Sequence, residues 1–421
     1  MLSIKYIAKN QELVKKACHD KGVDEEIVAD LLKAYQSKLS LLKKVEKLRA
    51  KRNVLVEEIK KKGKPSSSQI SAGKKLKKEI KELEPKLKNS EIKYKGLLFK
   101  IPNLAFDDVP VGKDETENEK VKKWKDIPKF SFTPKDHLSL AKSLDLIDMK
   151  RAAKVAGSRF GYLKNELVLL EFALLRYSLK TLEKEGFVPV IPPVLVKSDM
   201  MRGMGYLEHG EDQETYFLDK DDLYLIGTSE QSLGPMHANE TFSKKDLPLR
   251  YVAYSTCFRR ESGSYGKDTR GIFRVHQFNK MEMFVFSHPK KSDEELEYLL
   301  SLEEKLVQEL KIPYRVTKMC TGELGYPAAR KYDIECWFPA QEKYRETHSV
   351  STCTAYQSRR LKIKYQAKNQ KTKLVHTLNG TFFSQRLLLS ILENYQQENG
   401  SVKIPKVLHK FVGKDIILQK S

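Results

Sequence analysis

The sequence contains no run of about 18 consecutive apolar residues, the length that a membrane-spanning helix requires. Its first residues, MLSIKYIAKNQELVKK, have neither the apolar centre of a secretory signal nor an Arg- and Ser-rich transit pattern. Hydrophobic residues still make up 40% of the 421 residues, which is enough for a large core and excludes disorder throughout. We therefore expect a globular, cytoplasmic protein without a membrane partner.

Cysteine is also scarce. The five cysteines are widely spaced and form no Cys-x-x-Cys pair: Cys18, Cys257, Cys320, Cys336 and Cys353. This spacing argues against a disulfide framework and against a local zinc knuckle. A zinc site assembled from Cys320, Cys336 and Cys353 is the alternative, but we expect buried, reduced thiols and no zinc.

Acidic residues are too few to balance the basic ones. The chain has 78 Lys+Arg and 56 Asp+Glu, a net charge of 78 − 56 = +22. Residues 1–100 alone hold 27 basic and 13 acidic residues, a balance of 27 − 13 = +14. A basic excess concentrated in one segment indicates a polyanionic partner such as nucleic acid, although a Lys-rich helix face can also be merely solvated.

The apolar spacing of the N-terminal segment predicts a long antiparallel helical hairpin. Residues 26–62 have a helical pattern, and a heptad spacing typical of a coiled coil follows at Leu76, Ile80, Leu83, Leu87, Tyr94 and Leu97. Between them, GKPSSSQ at residues 63–69 has the residue types that end one helix and begin another. Pro85 is expected to kink or locally break the second helix.

Residues 101–128 contain Pro102, Pro110 and Pro128, mixed charge and no sustained period. We therefore expect a hinge, with a domain boundary near residue 112 that separates a helical domain (1–112) from a second domain (113–421). The second domain alternates helical patterns with β-rich runs, such as residues 251–258 and 274–286. This alternation predicts an α+β fold with a mainly antiparallel sheet flanked by helices.

Residues 251–286 resemble a long hairpin, since two β-like runs flank a polar, Gly-rich loop. Alternate residues of a strand share a face. One face would then carry Arg274, His276, Phe278, Lys280 and Glu282, and the packed face Val275, Met281, Met283 and Val285. Arg259 and Glu261, also two residues apart, could join the first face.

This polar face suits a ligand with phosphates, an aromatic base and an ammonium group. Arginine bridges phosphate oxygens, a Phe ring stacks on a base, and a carboxylate binds an amine. Phe278 and Glu282 would be about 13 Å apart along a strand, which is comparable to the two ends of an adenylate. The alternative is a solvent-facing strand with Arg–Glu pairs. His276 is expected to be structural rather than catalytic.

Residues 258–284, FRRESGSYGKDTRGIFRVHQFNKMEMF, closely resemble motif 2 of the class II aminoacyl-tRNA synthetases, in particular the bacterial-type seryl-tRNA synthetases. Further segments resemble family elements in the expected order: motif 1 at 185–196, the Thr-x-Glu signature at 225–233, the metal and serine strand at 344–360 and motif 3 at 378–396. The N-terminal hairpin is similar to the family's tRNA-binding arm. The resemblance covers essentially the whole chain.

The resemblance implies a role for each matching residue. The implied ATP-binding residues are Arg259, Glu261, Arg274, Phe278, Glu346, Ser349 and Arg386, of which Arg259, Arg274 and Arg386 would be catalytic. The implied serine-binding residues are Thr228, Glu230, Arg259, Glu282, Asn379 and Thr381. Glu346 and Ser349 would also ligate the Mg²⁺ that accompanies ATP.

The implied activity is seryl-tRNA synthesis by a homodimer, which activates L-serine with ATP and then transfers serine to the 3′ end of tRNA-Ser. Whether selenocysteine tRNA is a second substrate is left open. One rival is a catalytically retired paralogue that binds RNA or a protein. Another is a relative that charges a carrier protein or makes free adenylate, which would not need the basic arm.

Two departures from the family pattern lie in these motifs. The usual Ser-Asn-Cys-Thr-Asp is replaced by Ser-Thr-Cys-Thr-Ala at residues 351–355, and motif 3 is one residue shorter, with Phe382 and Phe383 in place of small residues. A one-residue shift reverses the face of a strand. We expect the backbone to compensate, for example by losing a bulge, so that Arg386 still faces the nucleotide.

Overall fold

The computed structural model describes residues 1–208, 214–262, 271–368 and 370–419. The chain folds into two compact units, Leu2–Pro102 and Asn103–Ser421, which divide inside the expected hinge. Among the described residues, no helix is long and apolar enough to cross a membrane.

The N-terminal unit confirms the predicted helical hairpin. Its helices are α1 (Ile4–Lys9), α2 (Gln11–Asp20), α3 (Glu26–Lys62) and α4 (Ser67–Lys100). Helix α3 ends at Gly63, whose φ of 79° is accessible to glycine, and α4 begins with a capping box between Ser66 and Gln69. The turn residues of GKPSSSQ therefore act as the sequence predicts.

The heptad positions of α4 form the seam of the hairpin. Ile80, Leu87 and Tyr94 are buried, and the ring of Tyr94 lies 5.4 Å from that of Tyr35 on α3. Near the middle of the arm, Arg49 and Glu84 form an ion pair of 2.6 Å between the two helices. These contacts, rather than helix propensity, hold so long a hairpin together.

Helix α4 continues through Pro85 without a break, so the expected local break is wrong. Pro85 is exposed, and its ring therefore does not disturb the packed seam. The missing main-chain hydrogen bond is outweighed by packing of α4 on α3 on both sides of the proline.

The second unit contains the remaining elements of the described chain. Its strands are β1 (Glu119–Trp124), β2 (Ile147–Asp148), β3 (Tyr162–Leu163), β4 (Val188–Val190), β5 (Leu195–Lys197), β6 (Phe217–Leu218), β7 (Leu223–Leu225), β8 (Thr241–Ser243), β9 (Leu249–Phe258), β10 (Gln277–Ser287), β11 (Tyr314–Lys318), β12 (Arg330–Phe338), β13 (Lys343–Thr354), β14 (Lys364–Gln366), β15 (Lys373–Leu374), β16 (His376–Ser384), β17 (Val402–Lys403) and β18 (Ile416–Ile417). Its helices are α5 (His137–Ser143), α6 (Met149–Ala156), α7 (Asn165–Lys184), α8 (Ser198–Met204), α9 (Glu230–Leu233), α10 (Ser292–Glu309), α11 (Tyr356–Leu361), α12 (Gln385–Asn394) and α13 (His409–Val412).

An eight-stranded sheet in the order β1-β11-β12-β13-β16-β10-β9-β4 dominates this unit. Every neighbouring pair is antiparallel except β4 and β9. The predicted α+β fold with a mainly antiparallel sheet is confirmed. One face of the sheet packs on α10 and α12, where Met283, Val350, Leu299 and Leu387 belong to one buried core.

Strand β1 lies within the segment expected to be an irregular hinge. It pairs with β11 at the edge of the sheet, and Trp124 stacks on Tyr314 with 5.6 Å between ring centroids. Five of its six residues are exposed. An exposed edge strand has no buried alternate residues, so the hydrophobic pattern on which strand prediction relies is absent.

Candidate active site

Strands β9 and β10 form the predicted hairpin, paired from Phe258 with Gln277 to Leu249 with Phe286. Part of the expected Gly-rich loop, residues 263–270, lies outside the described residues. The packed face is as predicted, since Met281, Met283 and Val285 are fully buried in the core. Opposite them, Lys280 and Glu282 point to the polar side of the sheet, where they form an ion pair of 2.6 Å.

Although β10 begins only at Gln277, the alternation also holds for Arg274, which lines the same pocket as Lys280, and for Val275, which is buried in the core as predicted. Val275 also contributes to the wall of that pocket. His276 was expected on the polar face, but its Nδ1 lies 2.9 Å from the carbonyl oxygen of Arg259 and its ring packs against Phe160. His276 thus links the two ends of the hairpin, which agrees with its expected structural role.

All seven residues predicted to bind ATP line one pocket with an empty volume of about 600 Å³, which we call the main pocket. These residues come from four places in the chain: the ends of the β9–β10 hairpin, β10 itself, β13 and the start of α12. They are Arg259, Glu261, Arg274, Phe278, Glu346, Ser349 and Arg386. Ile272, Phe273 and Val275 supply apolar wall beside Phe278.

Two arginines of the main pocket are held by carboxylates, and a third lies against an aromatic ring. Arg274 Nη1 lies 2.8 Å from Glu261 Oε2, and Arg386 Nη1 lies 2.7 Å from Glu346 Oε2. The guanidinium carbon of Arg259 lies 5.2 Å from the centre of the Phe278 ring, within the range of a cation–π contact. With Lys280, the lining carries four basic groups and two acidic ones, a balance that favours an anionic ligand.

Glu346 is ionised at neutral pH. Burial by itself would raise the pKa of this carboxyl, but the charges of Arg386 and Lys331 outweigh burial and hold the pKa at about 2. An ionised carboxylate with the hydroxyl of Ser349 on the same pocket wall provides the hard oxygen ligands that Mg²⁺ prefers. The donor set therefore fits the predicted metal.

A buried polar cluster adjoins the main pocket. We define the polar cluster as Thr228, Glu230, Lys280, Glu282 and Thr381, all of them buried. Lys280 Nζ lies 3.2 Å from Thr228 Oγ1 and 2.6 Å from Glu282 Oε2, and Thr381 Oγ1 lies 3.4 Å from the same carboxylate oxygen. Lys280 and Thr381 also line the main pocket, so the two sites are continuous.

Both carboxyl groups of the polar cluster have raised pKa values. Burial raises the pKa of Glu230 to about 7, and the nearby charge of Glu282 acts in the same direction. Burial likewise raises the pKa of Glu282, although Lys280 opposes it. Tyr206 donates a hydrogen bond of 2.6 Å to Glu230, which fixes the orientation of that carboxyl group.

Asn379 lies beside the polar cluster rather than in the lining of the main pocket. Its side-chain oxygen accepts a hydrogen bond of 3.2 Å from Ser351, which faces it across the β13–β16 pairing. The six residues predicted to bind serine are therefore split, with Arg259 and Thr381 on the main pocket and Thr228, Glu230, Glu282 and Asn379 buried next to it.

The shortened motif 3 keeps a bulge. The pairing of β10 with β16 shifts between Met281 and Glu282, so that Phe382 is the extra residue of β16. The side chains of Phe382 and Phe383 are fully buried in the core. Strand β16 ends at Ser384, and Arg386 in the first turn of α12 reaches the main pocket. The structure thus has a bulge in the shortened motif, and Arg386 lines the pocket. The suggestion that a bulge is lost relative to the family stays a prediction.

The second departure affects a helix end. Ala355 is the N-cap residue of α11 and makes no side-chain cap hydrogen bond, whereas an Asp there would make one. Thr352 is fully buried, and its hydroxyl accepts a hydrogen bond of 3.4 Å from the main chain of Thr354. Neither residue lines the main pocket.

Sequence reasoning did not assign three residues of the site. The strand alternation places Lys280 on the same face as Glu282 but assigns it no role. Tyr206 precedes the Thr-x-Glu signature by about twenty residues and has no local signal. Gln385, which lines the main pocket next to Arg386, occupies the shortened motif, where the spacing did not define its direction.

All five cysteines are buried, and none of them forms a disulfide. Within the described ranges, no group of three or more His, Cys, Asp or Glu side chains could hold a metal ion by itself. A metal in the main pocket would therefore need oxygen ligands from a bound substrate as well as from the protein.

Comparisons with known proteins agree with this geometry. Residues 1–105 match the seryl-tRNA synthetase N-terminal domain, and residues 215–395 match the tRNA synthetase class II core domain (G, H, P, S and T). The serine–tRNA ligase of Dictyoglomus turgidum is 44% identical over 417 residues, which cover 98% of each chain. The chain belongs to the seryl-tRNA synthetase family.

Solved structures of this family share the whole fold. The seryl-tRNA synthetase of Pyrococcus horikoshii, crystallised with ATP, is 42% identical and superimposes with a TM-score of 0.91 over 100% of both chains. The cytoplasmic serine–tRNA ligase of Naegleria fowleri, crystallised with AMP, is 30% identical with a TM-score of 0.85 and covers 100% of this chain and 99% of the other. These relatives confirm the predicted family and give no support to the retired paralogue.

The buried Lys280–Glu282 pair makes a prediction for stability. Replacing Lys280 with Met should lower the free energy of unfolding by about 3–5 kcal/mol, because it leaves the Glu282 carboxylate buried without a cation. Adding Glu282→Gln should restore part of the loss. The measurement is denaturant-induced unfolding, with the exposed Lys290→Met as control. A Lys280→Met variant as stable as this control would contradict the prediction.

Proposed function

We propose that this protein is an ATP-dependent serine–tRNA ligase, which activates L-serine as seryl-adenylate and transfers it to the 3′ end of tRNA-Ser. The observation that carries the proposal is the joining of the main pocket, rich in arginine, to the buried polar cluster. A triphosphate and a base suit the first, and a small hydroxylated ammonium compound suits the second. The family relationship and the ATP- and AMP-bound relatives support the same assignment.

In the main pocket, the base of ATP stacks on Phe278 and its phosphates face the arginines. Arg259 contacts the α-phosphate and the serine carboxylate, while Arg274 and Arg386 hold the outer phosphates. Glu261 lies at the adenine end. The guanidinium groups of Arg274 and Arg386 are held by Glu261 and Glu346 before a ligand arrives, so little reorganisation is needed on binding.

In the polar cluster, the ammonium group and hydroxyl of serine bind to Thr228, Glu230 and Glu282, and Asn379 and Thr381 close the site. Lys280 opposes the increase in the pKa of Glu282 that burial causes, and it fixes the direction of that carboxyl group through the 2.6 Å contact. A site built to bind a hydroxyl group rejects analogues that lack it, because its own polar groups would then be left unpaired. This arrangement favours serine over alanine.

The first step joins the two sites. A carboxylate oxygen of serine attacks the α-phosphorus of ATP, a new P–O bond forms, and the bond to pyrophosphate breaks. Arg259, Arg274 and Arg386 stabilise the negative charge that builds up on the transferred phosphoryl group and on the leaving pyrophosphate. No protein nucleophile is required.

Glu346 and Ser349 would hold Mg²⁺ together with the phosphates of ATP. When bound, the ion neutralises phosphate charge and helps to orient the triphosphate. Because the pKa of Glu346 is held at about 2, this carboxylate needs no deprotonation before it binds a cation near neutral pH.

In the second step, a terminal ribose hydroxyl of tRNA attacks the acyl carbon of seryl-adenylate and releases AMP. The α3–α4 hairpin binds tRNA mainly through its phosphates and its shape, as the excess of basic residues in this segment supports. Selenocysteine tRNA is a candidate second substrate, since such recognition reads shape rather than the anticodon of one tRNA.

We further propose that the protein acts in the cytoplasm as a homodimer. Five cysteines outside any disulfide suit a reducing compartment. Leu169 and Phe172 on α7, Val188 on β4 and Ile191 after it are exposed apolar residues of motif 1 and its neighbouring helix, and a second copy would cover them. Sedimentation of the full chain as a monomer at micromolar concentration would contradict the dimer.

The deciding experiment for the proposed function is serine-dependent exchange of labelled pyrophosphate into ATP. The wild-type protein should exchange with serine and not with alanine, threonine or cysteine, and Arg259→Ala should lower the rate by about a hundredfold or more, as expected when a charge-stabilising donor is lost. A folded protein that shows no exchange would favour the retired paralogue. Exchange without transfer to tRNA-Ser would favour a relative that charges another acceptor.

The raised pKa of Glu230 predicts a pH-dependent serine KM. Below its pKa of about 7 the carboxyl group is protonated and no longer attracts the serine ammonium group, so KM should rise roughly tenfold as the pH falls from about 8 to about 6. The serine KM at each pH is measured by steady-state pyrophosphate exchange at saturating ATP. In Glu230→Gln, KM should be high and nearly independent of pH; an unchanged profile in that variant would exclude Glu230 as the titrating group.

Charge on the arm should control tRNA affinity. Replacing the exposed residues Lys74, Lys75, Lys77 and Lys78 with Ala should weaken tRNA-Ser binding and reduce the salt slope by up to about 4, because fewer counterions are released. Filter binding at several salt concentrations measures both, and serine activation should be unchanged. The matched control replaces Lys150, Lys154, Lys244 and Lys245, exposed lysines of the second unit. Equal losses of tRNA-Ser affinity in both variants would count against a specific role of the α3–α4 hairpin in tRNA binding.

A further inference from the structure

Behind the polar cluster, where the sheet packs on α10, lies a carboxyl group that the proposed mechanism does not use. The side chain of Glu303 is fully buried, and neither of its carboxyl oxygens has a hydrogen-bond partner in the part of the chain that the structure describes. Burial raises the pKa of Glu303 well above its ordinary value, and the charges of Glu282 and Asp333 act in the same direction. Lys280 opposes them, and Glu304 adds to the increase. A buried carboxyl without a partner is rare and requires an explanation.

Glu303 lies directly against the main chain of β16. A Cβ atom placed on Gly380 would be only 2.8 Å from Glu303 Oε1, 3.1 Å from Met283 Cε and 3.3 Å from Val350 Cγ2. Glycine at this position therefore allows the carboxyl group to approach the strand. The next residue, Thr381, points to the opposite side of the sheet, toward Glu282 in the polar cluster.

A second buried polar side chain, His348 of β13, lies on the same side of the sheet as Glu303. His348 pairs with Ile334, and Val350, two residues further along β13, pairs with Gly380. The Nδ1 atom of His348 lies 2.8 Å from Thr347 Oγ1, whereas Nε2 makes no hydrogen bond to the described residues. Burial lowers the pKa of His348 to about 3, although Glu346 and the main chain of Phe382 favour the charged ring.

Glu303 therefore lies against β16 at Gly380, just before Thr381. His348 lies on the same side of the sheet, where the main chain of Phe382, just after Thr381, acts on its ring. Phe382 is the bulged residue, where the regular pairing of β16 with β10 is interrupted. A strand is least constrained at a bulge, because the extra residue is not held by the ladder. Contacts to β16 from the side of the sheet that packs on α10 therefore matter most near Phe382.

We propose that Glu303 and His348 are positioning residues that hold β16 from behind and so place Thr381 against Glu282 in the polar cluster. The inference rests on the proposed function, since its main readout is the serine KM. Neither residue touches the main pocket, and both act through the strand. Ordinary core packing would make the same contacts but would not couple them to serine binding.

The test is a double-mutant cycle between Glu303 and Gly380. Gly380→Ala should raise the serine KM at least about fivefold with kcat within about twofold, because the new methyl group collides with Glu303 and displaces Thr381. Glu303→Ala should raise KM less. The serine KM of the double variant should be lower than that of Gly380→Ala alone, because the methyl group then occupies the space that the carboxyl group has left. Additive effects of the two changes would overturn the proposal.

Two conservative variants separate positioning from packing. Glu303→Gln keeps the size of the buried side chain and cannot ionise, and it should have a serine KM near that of the wild type. His348→Phe keeps the ring volume but removes both nitrogens, and should raise the serine KM while the ATP KM stays constant. The control is Leu299→Ala, fully buried one turn earlier on the same helix, which should lower thermal stability without changing the serine KM.

Hydrogen exchange of the β16 amides provides a readout that does not depend on activity. Exchange at residues 379–384 should accelerate in Glu303→Ala and His348→Phe and not in Leu299→Ala. If the amide exchange of β16 changes equally in all three variants, the proposal is wrong even if the wild type activates serine. If the wild type shows no serine-dependent exchange of pyrophosphate, the proposed function fails, and the amide exchange still decides whether β16 is held from behind.

Discussion

The site depends on the central position of β16, which pairs with β10 on one side and β13 on the other. This pairing places Thr381 opposite Glu282 and Asn379 opposite Ser351, although about a hundred residues separate the first two. At its end, the strand passes directly into α12, and Arg386 in the first turn of that helix enters the main pocket. The register of β16 thus sets the positions of both the polar cluster and the phosphate end of the main pocket. The bulge at Phe382 lies between them and adjusts the position of one relative to the other.

The charges of the site are compensated within the fold. Each of Arg274 and Arg386 is paired with a carboxylate, and Lys280 is paired with Glu282 beneath them. Free cations gathered in one pocket would repel one another and move, whereas paired cations keep a defined direction. The same pairing sets the protonation of the acids: Glu346, among cations, has a lowered pKa, while Glu230, buried beside a second carboxyl group, has a raised one. Two acids a short distance apart can therefore serve different ligands.

Much of the architecture could be predicted from the sequence, because its signals are local. The heptads of α4, the turn residues at 63–69 and the alternation along β10 each depend on neighbours in the chain. The failures have equally physical causes. The alternation was extended to His276, which precedes the strand and bonds to the main chain of Arg259 instead. The break at Pro85 was expected from the cost of proline in an isolated helix, not in a packed hairpin. Tyr206 and Glu303 could not be found, because their importance arises only when distant elements pack together. The family resemblance supplied the residue roles that periodicity alone would not.

Strand β1 has a further consequence for the large sheet. As the terminal strand beyond β11, it leaves one row of main-chain donors and acceptors without a neighbouring strand, which is the feature that lets sheets of separate molecules join. Lysines occupy three of its six positions, Lys120, Lys122 and Lys123, and their mutual repulsion opposes such joining. Without this strand, β11 (YRVTK) would become the outer strand of the sheet with fewer charges along it. The segment that leads into the catalytic sheet thus also protects the protein against aggregation.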